Sequence, residues 1–352
     1  MLFRSRYPSR LSRQYDDRTA YSGGSHRGSP GNMMIALPIS VVLSGNPKQT
    51  SERYGVESCD RKSITALWKA LRTGDVFIWG GGSLMQDATS FANPFYYGGL
   101  MWLAQQLGLK TIAWGQGIGP LRRPLSRWLA RQVLRRCKAI SVRDQASAQL
   151  LAQWHLAATL APDPVWALES VPAKDLSDLP APRVAVNLRD HPLLTPQRLA
   201  VLAEALAEFQ QATGTSLLLL PFQASQDLAI AHSLAARLSG PTQILSLEDP
   251  AALKGVFREV EMAIGMRLHC LIMAAAEGCR CFALSYDPKV SQLMAEVPLA
   301  GWELARLPTE ANLISRAWIE EYQKGKSLTF SQSESLRDRA LLHAEVLRQV
   351  LS

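Results

Sequence analysis

The sequence predicts an α/β protein of two parallel-sheet halves, on three observations. Short β-type apolar runs alternate with amphipathic stretches, the alternation breaks at a proline-rich segment and restarts, and glycine clusters close successive strands. With 352 residues, 47% of them hydrophobic, the chain can bury two cores, which excludes a disordered or fibrous protein. In the first half, β-type runs at 39–43, 75–79, 111–114 and 139–143 alternate with helical patterns at 63–71, 95–107, 124–137 and 145–154. A-P-D-P-V-W at 161–166 and a Pro/Asp/Ser-rich run at 172–182 interrupt the pattern. It then resumes, with strands at 183–188, 216–220, 243–245, 262–264 and 281–284 and helices at 196–211, 226–238, 250–258 and 268–277. The expected domains are 38–165 and 183–330, joined by a linker at 166–182 and followed by an amphipathic helix at 331–352. Ligands are expected in a cleft between the halves.

Residues 1–37 stand apart. They are rich in Ser, Arg and Gly and poor in large apolar residues, so they are expected to be disordered. Within residues 1–30, six arginines face only Asp16 and Asp17, and this +4 is half of the formal charge of +8 that 38 basic and 30 acidic residues give the chain. Such a balance permits an anionic partner without demanding one, and a nucleic-acid partner is not expected. A second basic cluster falls on 124–137, where Arg127, Arg131 and Arg135 recur every four residues and Leu125, Trp128, Leu129, Val133 and Leu134 form the apolar stripe expected to be buried. The basic face reads as solvated charge or as a contact with an anionic membrane or polymer. Five cysteines without a paired C-x-x-C motif read as reduced thiols, and no apolar run approaches the ~20 residues of a membrane span. The expected location is the cytoplasm, at most peripheral at the inner membrane face.

Three motifs carry candidate chemistry. D-V-F-I-W-G-G-G-S-L-M-Q-D at 75–87 ends a strand in Gly80, Gly81 and Gly82, with Asp87 beyond; such a turn either admits an anion to backbone N–H groups or simply turns tightly into a helix. It fits neither a dinucleotide fingerprint nor a P-loop. W-G-Q-G-I-G-P at 114–120, containing Gln116, is a second glycine turn on the same expected sheet edge. A-I-G-M-R-L-H-C at 263–270 puts Arg267 and His269 at the start of an apolar helix, which makes either a phosphate or carboxylate site with a proton-transfer group or an ion-paired arginine beside a satisfied histidine. Arg189, at another strand end of the same half, could converge on the same anion.

In order, I-W-G-G-G-S-L-M-Q-D, W-G-Q-G-I-G-P-L, S-V-R-D, G-M-R-L-H and S-Y-D-P-K-V resemble the polysaccharide pyruvyl transferases, most closely the CsaB type, over residues 41–297. The resemblance implies two Rossmann-like domains in a GT-B-like arrangement and transfer of a pyruvyl group from phosphoenolpyruvate to a sugar, forming a ketal. It implies that Arg267, Leu268 and His269 engage phosphoenolpyruvate, with Arg189 as a further donor-holding arginine. The implied acceptor is an N-acetylmannosamine unit of a cell-wall polymer precursor, carried on lipid or free. No redox cofactor or metal is expected. One departure is that V-V-L-S-G-N-P matches the family's second strand, so the first β–α unit is expected to be missing or replaced, through an altered reading frame or a divergent start. Two alternatives follow: a GT-B glycosyltransferase using a nucleotide sugar, and an inactive remnant that binds polymer or partners.

Overall fold

The computed structural model describes residues 2–3, 39–88, 90–173, 176 and 178–351. They form two compact units, Met1–Asp163 with Leu341–Ser352, and Pro164–Ala340.

Unit 1 runs β1 (Leu2–Phe3), β2 (Ile39–Ser44), α1 (Pro47–Tyr54), β3 (Ser58–Asp60), α2 (Ile64–Thr73), β4 (Val76–Met85), α3 (Ala92–Gln106), β5 (Lys110–Ile118), α4 (Pro124–Leu134), β6 (Ala139–Val142), α5 (Gln145–Gln153) and β7 (Thr159–Leu160). Its seven strands are ordered β3-β2-β1-β4-β5-β6-β7. Alternation along β4 sorts the two faces: Phe77 and Trp79 enter the core packed by α3 and α4, while Val76 and Ile78 meet Val346 and Leu347 from the C-terminal end of the chain. All pairings are parallel except those of β1, which is antiparallel to both neighbours, Leu2 standing opposite Val41 and Phe77.

The placement of Leu2–Phe3 corrects the expectation of a disordered tail for those two residues. The slot between β2 and β4 would otherwise leave two rows of backbone N–H and C=O groups unpaired in an apolar sheet, and any short apolar segment that pairs there is favoured. The rest of the expected tail, residues 4–37, lies outside the described residues.

Unit 2 runs β8 (Arg183–Asn187), α6 (Pro196–Thr213), β9 (Ser216–Leu219), α7 (Ala224–Ala235), β10 (Thr242–Ile244), α8 (Pro250–Val256), β11 (Met262–Gly265), α9 (Leu268–Ala276), β12 (Arg280–Ser285), α10 (Pro288–Glu296), β13 (Ala300–Glu303), α11 (Ala311–Lys324) and α12 (Phe330–Ala340). The all-parallel order β10-β9-β8-β11-β12-β13 is that of a doubly wound sheet, whose switch point lies between β8 and β11. Ala185, Leu218, Ala263 and Cys281 face one core with α9, while Val184, Leu217, Met262 and Phe282 face the other with α6 and α11. Helix starts follow local chemistry: Asp249 and Asp287 cap α8 and α10 through their carboxylates, each followed by proline at the first helical position.

Two boundaries differ from expectation. The segment expected to be a linker is packed down, since Trp166, Leu176 and Leu179 are buried in the unit 2 core; their apolar area outweighs the turn-forming prolines around them. The expected single helix at 331–352 breaks at Leu341 into α12 and α13 (Leu342–Leu351), which belong to different units. What holds α13 is His343, 1% exposed, whose Nε2 donates to the Pro162 carbonyl at 2.9 Å. That fixes Nδ1 as acceptor for the Ser141 hydroxyl at 2.9 Å, and the Ser141 oxygen in turn accepts the Gly115 N–H at 2.9 Å. Trp114 Nε1 closes the lock on the His343 carbonyl at 2.7 Å. Among the described residues no helix is long and apolar enough to cross a membrane.

Burial holds the His343 imidazole below the ordinary histidine range. The unfolded chain therefore takes up its proton first, and stability should fall as pH drops below about 6.5. Urea midpoints across that range are expected to decline in the wild type; a His343→Ala variant should lose about 2–3 kcal/mol at neutral pH and show a flatter profile. An equally steep decline in both proteins would exclude this histidine as the cause.

Candidate functional site

The residues that converge most clearly lie at the switch point of unit 2. β8 leads toward α6 on one face and β11 toward α9 on the other, so the chain diverges at the carboxyl ends of the two strands, the place where doubly wound sheets ordinarily bind ligands. Asn187, fully buried, ties the edge together: its Nδ2 donates to the Leu220 carbonyl at 2.7 Å and its Oδ1 accepts the Arg267 backbone N–H at 3.1 Å. One side chain thus sets the spacing of the ends of β8, β9 and β11.

Arg189 and Arg267 each lie two residues beyond the end of β8 and β11, and they meet on one neutral oxygen. Gln226 Oε1 accepts from Arg189 Nη2 at 3.0 Å and from Arg267 Nη2 at 3.2 Å. Arg267 is gripped by Asp227, fully buried, with Nε to Oδ2 at 2.7 Å and Nη2 to Oδ1 at 2.5 Å. Asp227 is itself oriented by the Gln223 backbone N–H at 2.9 Å. Arg189 lies over the Tyr286 ring, 4.9 Å from its centroid, and donates through Nη1 to the phenol oxygen at 2.8 Å. His191 packs on the same ring at 4.8 Å; burial first, then the Arg189 charge, pushes its imidazole below the usual range, so it adds no full positive charge near pH 7. The two guanidiniums pair with a single carboxylate, Asp227, and share one amide oxygen, while the carboxylates of Asp190 and Asp287 lie near enough to act on His191.

The other expected residues of this half have different settings. Arg267 is the N-cap of α9 with no side-chain cap on the first turn, Leu268 is half-buried, and His269 is exposed in that first turn. Both readings of Arg267 thus coexist, because its ion pair is internal yet its guanidinium shares an acceptor with a second arginine. Sequence reading missed Gln226, Asp227, His191, Tyr286 and Asn187. Asn187 had a signal, a polar residue in an otherwise apolar strand. Asp227 had none, since an acid in the first turn of a helix ordinarily reads as a solvated partner of the helix dipole.

Unit 1 revises the glycine motifs. Gly80–Gly82 lie inside β4, which runs on to Met85; Gly80 pairs with Trp114 and Gly82 with Gln116 before the register shifts. They therefore sit inside a strand rather than at a strand-to-helix turn, with a bulge following them between Gly82 and Met85, and the positive φ of Gly81 (44°) and Gly82 (98°) suits glycine there. Gln116 is fully buried beneath, its Nε2 donating to the carbonyls of Trp79 (3.0 Å) and Trp114 (3.3 Å), so it shapes the bulge and presents nothing to solvent. Asp87 accepts the backbone N–H groups of Arg122 (2.8 Å) and Arg123 (3.0 Å) ahead of α4. Partial burial opposes its ionisation, but those two N–H groups and the Arg123 charge hold the carboxyl below its ordinary range. Near the bulge, Arg143 is buried with Asp163 at 2.5 Å and donates to Ser83 Oγ at 3.1 Å. Among the described residues no group of three or more His, Cys, Asp or Glu is placed to hold a metal ion.

A family model described as polysaccharide pyruvyl transferase matches residues 37–288. No curated protein matches the chain by sequence. Solved structures similar to it include the UDP-GlcNAc 2-epimerase of Methanocaldococcus jannaschii, at 9% identity and TM-score 0.61 over 88% of this chain and 91% of that one. The UDP-GlcNAc 2-epimerase of Neisseria meningitidis bound to UDP-GlcNAc gives 9% and 0.55 over 88% and 91%. HepE of Anabaena with UDP and glucose gives 12% and 0.52 over 88% and 97%. At these identities the likeness speaks for the fold, which is the α/β fold with parallel sheets found in GT-B glycosyltransferases and epimerases.

Removing the Asp227 carboxylate would leave the Arg267 guanidinium confined beside a void. An Asp227→Ala variant is expected to lose about 3 kcal/mol in chemical denaturation, because breaking a buried pair strands its partner. Glu320→Ala, which deletes a solvent-exposed pair with Lys324, should cost less than about 1 kcal/mol. Similar losses in the two variants would contradict a buried, structural role for Asp227.

Proposed function

Because the chain belongs to the polysaccharide pyruvyl transferase family and is thereby a transferase, we propose that it moves a pyruvyl group from phosphoenolpyruvate to a sugar hydroxyl pair, forming a ketal. The observation that carries the donor assignment is the pair of guanidiniums, Arg189 and Arg267, sharing Gln226 Oε1 at the switch point. Phosphoenolpyruvate bears a phosphate and a carboxylate, and two planar forks held at fixed separation suit two anionic groups on one small molecule. Asp227 and Tyr286 keep the forks oriented before the donor arrives, which spares the rotamer entropy that two long side chains would otherwise lose on binding.

The reaction needs a proton delivered to the donor's methylene carbon, attack of two sugar hydroxyls at the adjacent carbon, and departure of phosphate. His269, exposed in the first turn of α9 two residues after Arg267, is the group assigned to proton transfer. We take the acceptor to be an N-acetylmannosamine unit of a cell-wall polymer precursor, lipid-linked or free, as in the CsaB branch that the ordered motifs resemble. Cytoplasmic placement is part of the same proposal, since phosphoenolpyruvate is a cytoplasmic metabolite.

Isothermal titration with phosphoenolpyruvate tests the reading. Arg189→Ala should raise Kd by about 30-fold or more, the scale of a lost charge-assisted contact of about 2 kcal/mol. Arg267→Ala alone would strand the buried Asp227, so the informative variant is Arg267→Ala combined with Asp227→Asn, with the same expected loss. His269→Gln should retain donor binding while phosphate release with acceptor falls by about 100-fold or more. Binding of a uridine nucleotide in place of phosphoenolpyruvate, or donor affinity indifferent to both arginines, would overturn the assignment.

A further inference from the structure

The helix α4 buries only part of the stripe that its sequence predicts: Val133 and Leu134 are in the core and Leu129 packs against it, but Leu125 and Trp128 are not. Its buried residues are Ser126, Ala130, Val133 and Leu134, whereas Leu125 and Trp128 are 55% and 59% exposed. At about 100° per residue, Trp128 projects roughly opposite Ala130, in the middle of the solvent face and between the directions of Arg127 and Arg131 on one side and Leu125 on the other. The reason is steric: α4 packs against α3, where Gly98 brings the Leu129 side chain within 3.1 Å of its missing Cβ position, and so close an approach favours the small residues of α4 on the inner face.

The charge around these two apolar side chains has one sign. Arg122, Arg123, Arg127, Arg131, Arg135 and Arg136 are all exposed, and no ion pair among the described residues engages any of them. The sequence from 88 to 143 contains no Asp or Glu, so α3, β5, α4 and β6 provide no acidic side chain to neutralise the patch. Asp87, the acid at the head of α4, is spent on backbone N–H groups. The aromatic content extends to the start of α3, where Phe91 is 46% exposed and lies 4.2 Å beneath the Arg123 guanidinium.

We infer that this face of unit 1 docks on a lipid bilayer containing anionic phospholipids. The cations pair with headgroup phosphates, while Trp128 and Leu125 enter the boundary between headgroups and acyl chains. An exposed Trp and Leu in the centre of a basic helix face lose hydration cost only where an apolar phase is available, which a soluble polyanion does not offer. Charge alone would fit either surface; the central Trp and Leu select the bilayer. The inference does not depend on the donor assigned above, since it rests on unit 1 alone.

Co-sedimentation of the full chain with vesicles tests it. Binding is expected to phosphatidylcholine vesicles containing about one-third phosphatidylglycerol, to be weak on pure phosphatidylcholine, and to fall with added salt. Replacing Arg127, Arg131 and Arg135 together by Gln should weaken binding on the order of a hundredfold. These side chains are exposed, so the variant should keep the wild-type urea midpoint. A Trp128→Ser and Leu125→Ser variant should bind several-fold more weakly with every charge retained. Equal binding to neutral and anionic vesicles, or anionic binding unaffected by either variant, overturns the inference. So does binding to a soluble polyanion such as heparin that matches vesicle binding and ignores the Trp128 and Leu125 substitutions, because the surface would then be a polyanion site.

Discussion

The candidate site rests on the burial of a single carboxylate. Asp227 is shut away from water yet accepts two charge-assisted hydrogen bonds from Arg267 and one from the Gln223 N–H, so its desolvation is offset only while that guanidinium stays in place. This makes Arg267 a fixed object. Gln226 then carries the constraint across to Arg189, and Tyr286 supports Arg189 from its other side. Asn187 sets the strand ends from which both arginines project. The result is a preorganised positive fork at the point where a doubly wound sheet opens.

Unit 1 solves a different problem. Its sheet has a slot between β2 and β4 that only the two residues of β1 pair within the described chain, against ten residues of β4. On one face the sheet is sealed by α13, held through the neutral His343 and the Trp114 indole. On the other, α3 and α4 cover the core so closely that α4 turns Trp128, its largest apolar residue, and Leu125 outward. A polar lock and a small-residue interface thus place side chains where hydrophobicity alone would not.

Much of this was legible in the residues. The alternation of apolar runs, the glycine-rich strands and the ordered motifs led to two α/β halves and to a family that the match over residues 37–288 supports. Arg267 and Arg189 were picked out as strand-end cations, and the structure brings them onto one oxygen. The glycines at 80–82 look like a strand end in the string, because positive φ serves a strand that carries on into a bulge as well as a turn that leaves the sheet. Leu125 and Trp128 were misplaced because a helical wheel reports which residues are apolar, whereas the partner helix decides how much volume the inner face can hold.

What the sequence by itself determined is therefore local and periodic: strand and helix identity, the caps and prolines that start helices, the charge of each segment, and the family. Those follow from interactions a few residues long, which a linear string records directly. Only the tertiary structure decided that Gln226 and Asp227, some forty residues before Arg267, would orient it, that Trp166, Leu176 and Leu179 would pack into a core, and that the last helix would divide between two units. Contacts at such separations are selected by the packing of whole elements, and no single residue type announces them in advance.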